Sequence, residues 1–129
     1  MKTKNNMIEE TSGDKYSALE ERTFKYAQGV FKLVRLAIAN VINKKVGDQL
    51  VRASGSVGAN YIEANNSLGR KDCLMKMKIC KKEALESVYW LRLLDIDESK
   101  GELEKLRNLQ IEEGRQSISI FWAIIGKLR

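Results

Sequence analysis

Apolar residues recur three and four positions apart along almost the whole chain from Ser17 onward, in four blocks divided by short polar punctuation. Leu19, Tyr26, Val30, Val34, Ala37, Ile38 and Val41 keep that step and predict a first helix over 18–41. Ser17 with Glu20 three residues on has the form of a capping box, in which each side chain satisfies a free backbone N–H. Val46, Leu50, Ala53, Val57, Tyr61 and Ala64 predict a second helix over 44–66, with Asn43 as its N-cap. Asn65-Asn66-Ser67-Leu68-Gly69 reads as a turn. Cys73, Met77, Cys80, Ala84, Val88, Leu91 and Leu94 then form the core face of a third helix over 70–97, closed by Asp97-Glu98-Ser99-Lys100-Gly101. The fourth helix is expected over 101–128, with Leu103, Leu106, Phe121, Ile124 and Leu128 on one side. Gln110, Glu113 and Ser117 interrupt that stripe, so either a polar layer crosses the core or the face is half buried. Residues 1–16 are polar and without period, and read as a disordered tail.

Four helices with short connectors predict an all-α fold, an antiparallel up-down-up-down four-helix bundle over 17–129. The composition agrees. The chain has no proline, which helix interiors exclude, and at 43% hydrophobic it can fill a core without disulfides or metal. Glycines 47, 55 and 58 sit within the second helix, where each costs about 1 kcal/mol relative to alanine. Such a cost points to a closely approaching neighbour. Gly55, Gly58, Ala59 and Ile62 lie opposite the Val46–Val57 stripe, so this helix is expected to pack on two sides. A loop is the competing reading of Ala53–Ala59, but Tyr61-Ile62-Glu63-Ala64 continues the helical period.

The net charge is +6, from 23 Lys and Arg against 17 Asp and Glu. The excess is uneven. Between residues 70 and 82, Arg70, Lys71, Lys76, Lys78, Lys81 and Lys82 face only Asp72. At 100° per residue Lys71, Lys78 and Lys82 share one stripe, flanked by Arg70 and Lys81. A helix-length basic stripe suits a phosphate backbone, whose neutralisation releases counterions; the plainer reading is a solvated surface. Lys32 and Arg35 on the first helix extend this candidate nucleic-acid-binding set. No base-reading motif or exposed aromatic platform is evident from the pattern, so binding is expected to be largely insensitive to sequence.

Another face of the third helix carries Asp72, Lys76, Ile79, Glu83, Glu86 and Trp90. It reads either as an internal network, with Glu83 meeting Asn60 of the second helix, or as a subunit interface; Trp90 reads first as packing.

Catalytic chemistry finds little foothold. The chain has no histidine, which removes the usual metal ligand and proton shuttle from a site built on Glu63, Glu83 and Glu86. Cys73 and Cys80 are seven residues apart, roughly 10.5 Å along a helix, too far to bridge. They read as reduced core thiols, which with the absence of an apolar leader fits a cytoplasmic protein. Ser54-Gly55-Ser56-Val57-Gly58 lacks the lysine and strand of a P-loop. No 18-residue apolar run is present, so no membrane span is expected. No catalytic residue, metal or cofactor is expected.

Arg52-Ala53-Ser54-Gly55-Ser56-Val57-Gly58-Ala59-Asn60-Tyr61-Ile62-Glu63-Ala64, followed by Lys71-Asp72, Lys76, Lys78-Ile79 and Lys82-Glu83-Ala84-Leu85-Glu86-Ser87-Val88-Tyr89-Trp90-Leu91, resembles the four-helix bundle family named for the 23S ribosomal RNA intervening-sequence protein. The resemblance runs from Leu19-Glu20 to the end. It departs in the longer polar N-terminus and in Cys73, where bulkier apolar residues are common. It implies a bacterial bundle that assembles as a ring-shaped homopentamer, with Arg52, Asn60, Glu63, Glu83, Glu86 and Trp90 as structural or interface residues. A more distant relative is the accessory variability protein of diversity-generating retroelements, a basic pentamer that binds nucleic acid and a reverse transcriptase. Five copies would raise +6 to about +30 and turn a modest patch into a strong field. The expected function is therefore nucleic-acid binding, RNA foremost, by an oligomer; the alternative is a scaffold that docks an acidic partner protein.

Overall fold

The structure is a computed structural model; it describes the backbone of residues 4–129 and the side chains from Ala18 onward. Four helices follow in order: α1 (Lys4–Ala37), α2 (Val41–Asn65), α3 (Arg70–Leu93) and α4 (Gly101–Leu128). No strand occurs among the described residues. Each helix packs against its neighbour in sequence, and α1 meets α4, so the four enclose one core. Val30 and Leu33 of α1, Leu50, Val57 and Tyr61 of α2, Met77, Cys80 and Leu91 of α3, and Phe121 and Ile125 of α4 are fully buried there. Each large apolar side chain among them contributes about 1.5–3 kcal/mol by leaving water.

α1 ends at Ala37, short of the expected 41, and leaves Ile38 and Val41 exposed; three further boundaries differ from the sequence reading, each for a local reason. First, α1 begins at Lys4, so Ser17 is an interior position and not a cap; no proline interrupts the approach to it. The tail expected over 1–16 lies outside the residues whose side chains are described.

Second, Asn40, not Asn43, caps α2: its backbone is extended and its side chain accepts from Asn43 N at 2.8 Å. Asn43 is buried instead. Its Nδ2 donates to Ala37 O at 2.6 Å and to Asp95 O at 2.8 Å, and its Oδ1 accepts from Asp95 N at 2.8 Å. One side chain thereby ties the end of α1 and the start of α2 to the α3–α4 connector, with both amide hydrogens and the carbonyl satisfied.

Third, α3 stops at Leu93. Leu94 turns out of helical geometry while staying buried, and Arg107 of α4 donates to its carbonyl.

The glycines of α2 serve α1. A Cβ at Gly47 would fall 3.0 Å from Val34, one at Gly58 3.1 Å from the Thr23 hydroxyl, and one at Gly55 3.8 Å from Phe31. The second packing side expected for α2 is thus largely its contact with α1, although Ala59 and Ile62 stay exposed. The polar interruption in α4 is a layer through the bundle. Tyr26 and Ser87 share a 2.7 Å hydrogen bond across the core. Ser87 also donates to Ala84 O at 2.9 Å, which leaves Tyr26 as the donor of the first. Ser117 is buried beside this layer, Gln110 lies over Gly29, and Glu113 at the rim pairs with Arg22 at 2.5 Å. The layer is incompletely paired: Gln110 Oε1 and Ser117 Oγ have no hydrogen-bond partner among the described residues. On the hydrophobic side of α4, Phe121 and Ile125 are buried, while Leu103, Leu106, Ile124 and Leu128 pack only partly against the core.

Gly114 is required where these elements meet. A Cβ there would lie 2.6 Å from Val88 Cγ2 and 3.0 Å from the Tyr26 hydroxyl, whereas one at Gly126 meets nothing within 4 Å. Val88 is β-branched and cannot swing aside. Gly114→Ala is therefore expected to destabilise by about 1–2 kcal/mol, since overpacking outweighs the helix-propensity gain. Gly126→Ala, in the same helix, is expected to stabilise by about 0.5–1 kcal/mol. Urea unfolding midpoints of the two variants check the opposite signs.

Candidate nucleic-acid interface

The basic stripe of α3 exists as a surface. Lys71, Lys78 and Lys82 are all exposed on it, and no acidic side chain separates them on that face. It is less pure than its sequence suggested: exposed Met75 lies among the lysines, and Leu85 and Tyr89 take over the stripe in the second half of the helix. The flanking residues have further duties. Arg70 grips the end of α4, its Nε donating to Leu128 O at 2.7 Å and its NH2 to Lys127 O at 2.9 Å. A cation at these orphan carbonyls also suits the negative end of the helix dipole. Two of its donors are thus engaged within the fold.

Lys81 leans the other way, onto α4. Its ammonium sits 4.0 Å from the centroid of the Trp122 ring, and the Arg129 guanidinium lies 5.9 Å from the same centroid. Such contacts at an exposed site are worth about 0.5–1 kcal/mol. Trp122 is 56% exposed. The sequence reading expected no exposed aromatic on this surface, and the structure places one there, Trp122. The signal was present as a spacing: Phe121 and Trp122 are adjacent, so only one can face the core, and Arg115 and Arg129 lie seven residues to either side of Trp122. Seven residues are two turns, which places Arg115, Trp122 and Arg129 on one outward face of α4, where all three are exposed.

The first half of α3 and the second half of α4 therefore adjoin as a single basic region. Residues 70–82 and 114–129 together hold nine Lys and Arg and one acid, Asp72, in a chain whose net charge is only +6. The region contains Arg70, Lys71, Lys78, Lys81 and Lys82 from the sequence-derived set, and adds Arg115, Trp122, Lys127 and Arg129. Lys32 and Arg35 do not join it. Lys32 lines a groove with Leu36, Glu102, Leu103 and Leu109, against the first half of α4. From Leu109 to Trp122 is about 20 Å of helix. Arg35, one turn further along α1 toward its end, is exposed and on that same side of the polar layer.

Of the other named residues, Arg52, Glu63, Glu83 and Glu86 hold α2 to α3. Arg52 donates to Glu83 at 2.9 Å and to Glu86 at 2.6 Å, and Lys76 pairs with Glu63 at 3.2 Å. The carboxylates raise the Arg52 pKa, the Glu86 hydrogen bond most. Glu83 does not meet Asn60: Asn60 is half buried and donates to Ser56 O of its own helix at 2.9 Å, and the longer Arg52 reaches Glu83 instead. Trp90 is half buried, packs against the core and makes an edge contact with Tyr89 at 5.1 Å. The cysteines behave as apolar side chains. Burial pushes the Cys80 thiol up to about 12 and raises that of Cys73, so neither is a thiolate near neutrality. Among the described residues no cluster of three metal-ligating side chains occurs, and no helix is long and apolar enough to cross a membrane.

Residues 15–113 match the family model described as 23S rRNA-intervening sequence protein. Among solved structures, the chain resembles a protein of unknown function from the S23 ribosomal protein family of Bacteroides thetaiotaomicron VPI-5482, at 26% identity and a TM-score of 0.68. That likeness covers 87% of this chain and 98% of the other. No curated protein matches the chain.

Arg52 is the only described cation paired with the buried Glu83 carboxylate, whose side chain is 7% exposed. Arg52→Met is expected to destabilise by about 1–2 kcal/mol, less than for a dry pair because Arg52 is itself half exposed. Adding Glu83→Leu should recover most of that loss. Unfolding midpoints of the single and double variants test the pairing.

Proposed function

The chain belongs to the 23S rRNA-intervening sequence protein family, and from that membership and its charge distribution we propose a non-catalytic, oligomeric bundle that binds nucleic acid, RNA foremost, through the joined basic region of α3 and α4. The observation that carries this reading is the segregation of charge. Nine cations and a single acid occupy the first half of α3 and the second half of α4. A surface of one sign attracts a polyanion from a distance and holds it through counterion release. Lys71, Lys78 and Lys82 project from it at helical spacing and, among the described residues, take no part in ion pairs such as those that occupy Arg52 and Lys76.

The assembly is part of the proposal. Connectors of three, four and seven residues support an up-down-up-down course with antiparallel neighbours. Pairs such as Glu20 with Asn65, and Val34 with Gly47, agree with that course between α1 and α2. A ring-shaped homopentamer is proposed on the family resemblance. Exposed Phe24, Ile62, Leu85 and Tyr89 supply apolar surface for contacts between copies. The rival reading, a scaffold for an acidic protein, draws on that same apolar surface lying beside the lysines.

RNA affinity is expected to fall steeply with salt. Lys78→Gln with Lys82→Gln should weaken binding several-fold at low salt and make the log–log salt slope shallower by about 1.4, near 0.7 for each lost single-strand phosphate contact. Fluorescence anisotropy across a salt series measures both. Absence of RNA and DNA affinity at low salt would defeat the reading, and capture of one acidic protein without nucleic acid would favour the rival.

A further inference from the structure

We infer that Trp122 is a stacking platform that makes the basic region select single-stranded over double-stranded nucleic acid. The inference rests on the nucleic-acid reading above and deepens it. Trp122 is a large aromatic ring more exposed than buried, on a helix whose adjacent Phe121 already fills the core. Nothing in the packing of the described chain requires an indole at that position. What surrounds the ring is cationic: Lys81 at 4.0 Å from the centroid, Arg129 at 5.9 Å, and Arg115 two turns back on the same face. An apolar protein partner would gain little from a ring so flanked, while an unpaired nucleotide matches it part for part. The base is a flat π-surface that stacks on the indole, and its phosphates meet the flanking cations.

The position of Lys81 gives the exchange a physical route. Its ammonium rests against the ring. A base that takes this place frees the ammonium, on its flexible four-carbon stem, for the neighbouring phosphate. A cation–π contact in water is weaker than base stacking combined with a charge-assisted phosphate contact, so the exchange runs toward the bound state. A duplex keeps its bases stacked on one another and can offer only its phosphates. The cations of α3 and α4 serve both kinds of strand, and the Trp122 ring serves only the single one.

The test compares a short oligouridylate with an RNA duplex of equal length, using the intact chain and three variants. Trp122→Ala is expected to lose about tenfold in affinity for the oligouridylate and less than twofold for the duplex. Trp122→Phe, which keeps a ring, should retain most oligouridylate affinity. Lys78→Gln with Lys82→Gln should weaken both ligands together. Oligouridylate should also quench the tryptophan emission of the native chain more than that of Trp122→Phe, in which Trp90 alone emits. Unchanged oligouridylate binding by Trp122→Ala, or equal losses for both ligands, overturns the platform while leaving the basic surface in place. Failure of the native chain to bind either RNA at low salt overturns the platform together with the nucleic-acid reading beneath it.

Discussion

Tyr26 crosses the core from α1 to reach Ser87 of α3, and the bundle is built around the space that crossing needs. The phenol is buried, burial pushes its ionisation up to about 12, and it therefore stays a neutral donor at any ordinary pH. It passes over α4 at Gly114, a residue with no side chain. Gly114 lets the backbone of α4 come up against both the hydroxyl and Val88. That contact fixes more than a distance. Two turns back along α3 from Val88 lies Lys81, and just over two turns forward along α4 from Gly114 lies Trp122, so the register set at the glycine delivers the ammonium to the indole. The end of the same register brings Arg70 to the last carbonyls of α4.

The third helix divides its labour by face. Its buried residues Met77, Cys80, Ala84 and Leu91 fill the core. Glu83 and Glu86 bind Arg52, and Lys76 binds Glu63, which fastens α2 along one flank with charge-assisted contacts. The remaining flank is left to lysines with no acidic partner among the described residues. Because Glu83 and Glu86 are held by Arg52 of α2, they do not neutralise the stripe, and Asp72 is the one acid left in the basic region. The field of the basic region is thus a consequence of how the other side of the helix is satisfied.

The four helices were legible because each has a long apolar period and no proline, and burial follows that period closely in α2 and α3. Legibility failed where a polar residue had two possible roles. Asn43 has the composition of an N-cap, but Asn40 three residues earlier serves as well, and nothing local shows that Asp95, far along the chain, needs the amide. Asn60 and Glu83 look like partners on a helical wheel, yet the guanidinium of Arg52 reaches further than an amide can. In the candidate site, the α3 stripe was plain from lysine spacing. The α4 half is obscured in the sequence because Trp122 sits beside Phe121, whose core period dominates the local pattern. Placing Lys32 and Arg35 with α3 failed for want of the third dimension: charge on α1 says nothing about which end of α4 it lies against.

Asn43 leaves the chain little freedom to change at one pole. Its amide is the shortest side chain with two donors and an acceptor, and all three are in use: one on Ala37 nearby, and two on Asp95, 52 residues along the chain. Aspartate would present oxygen to two carbonyl oxygens, and leucine would strand three backbone groups. An inserted residue ahead of Asp95 would move those groups out of reach, so the loop between the last two helices is coupled to the first corner of the protein. Length variation in this architecture is better accommodated after Asp95, where Asp97 to Lys100 stand exposed to solvent.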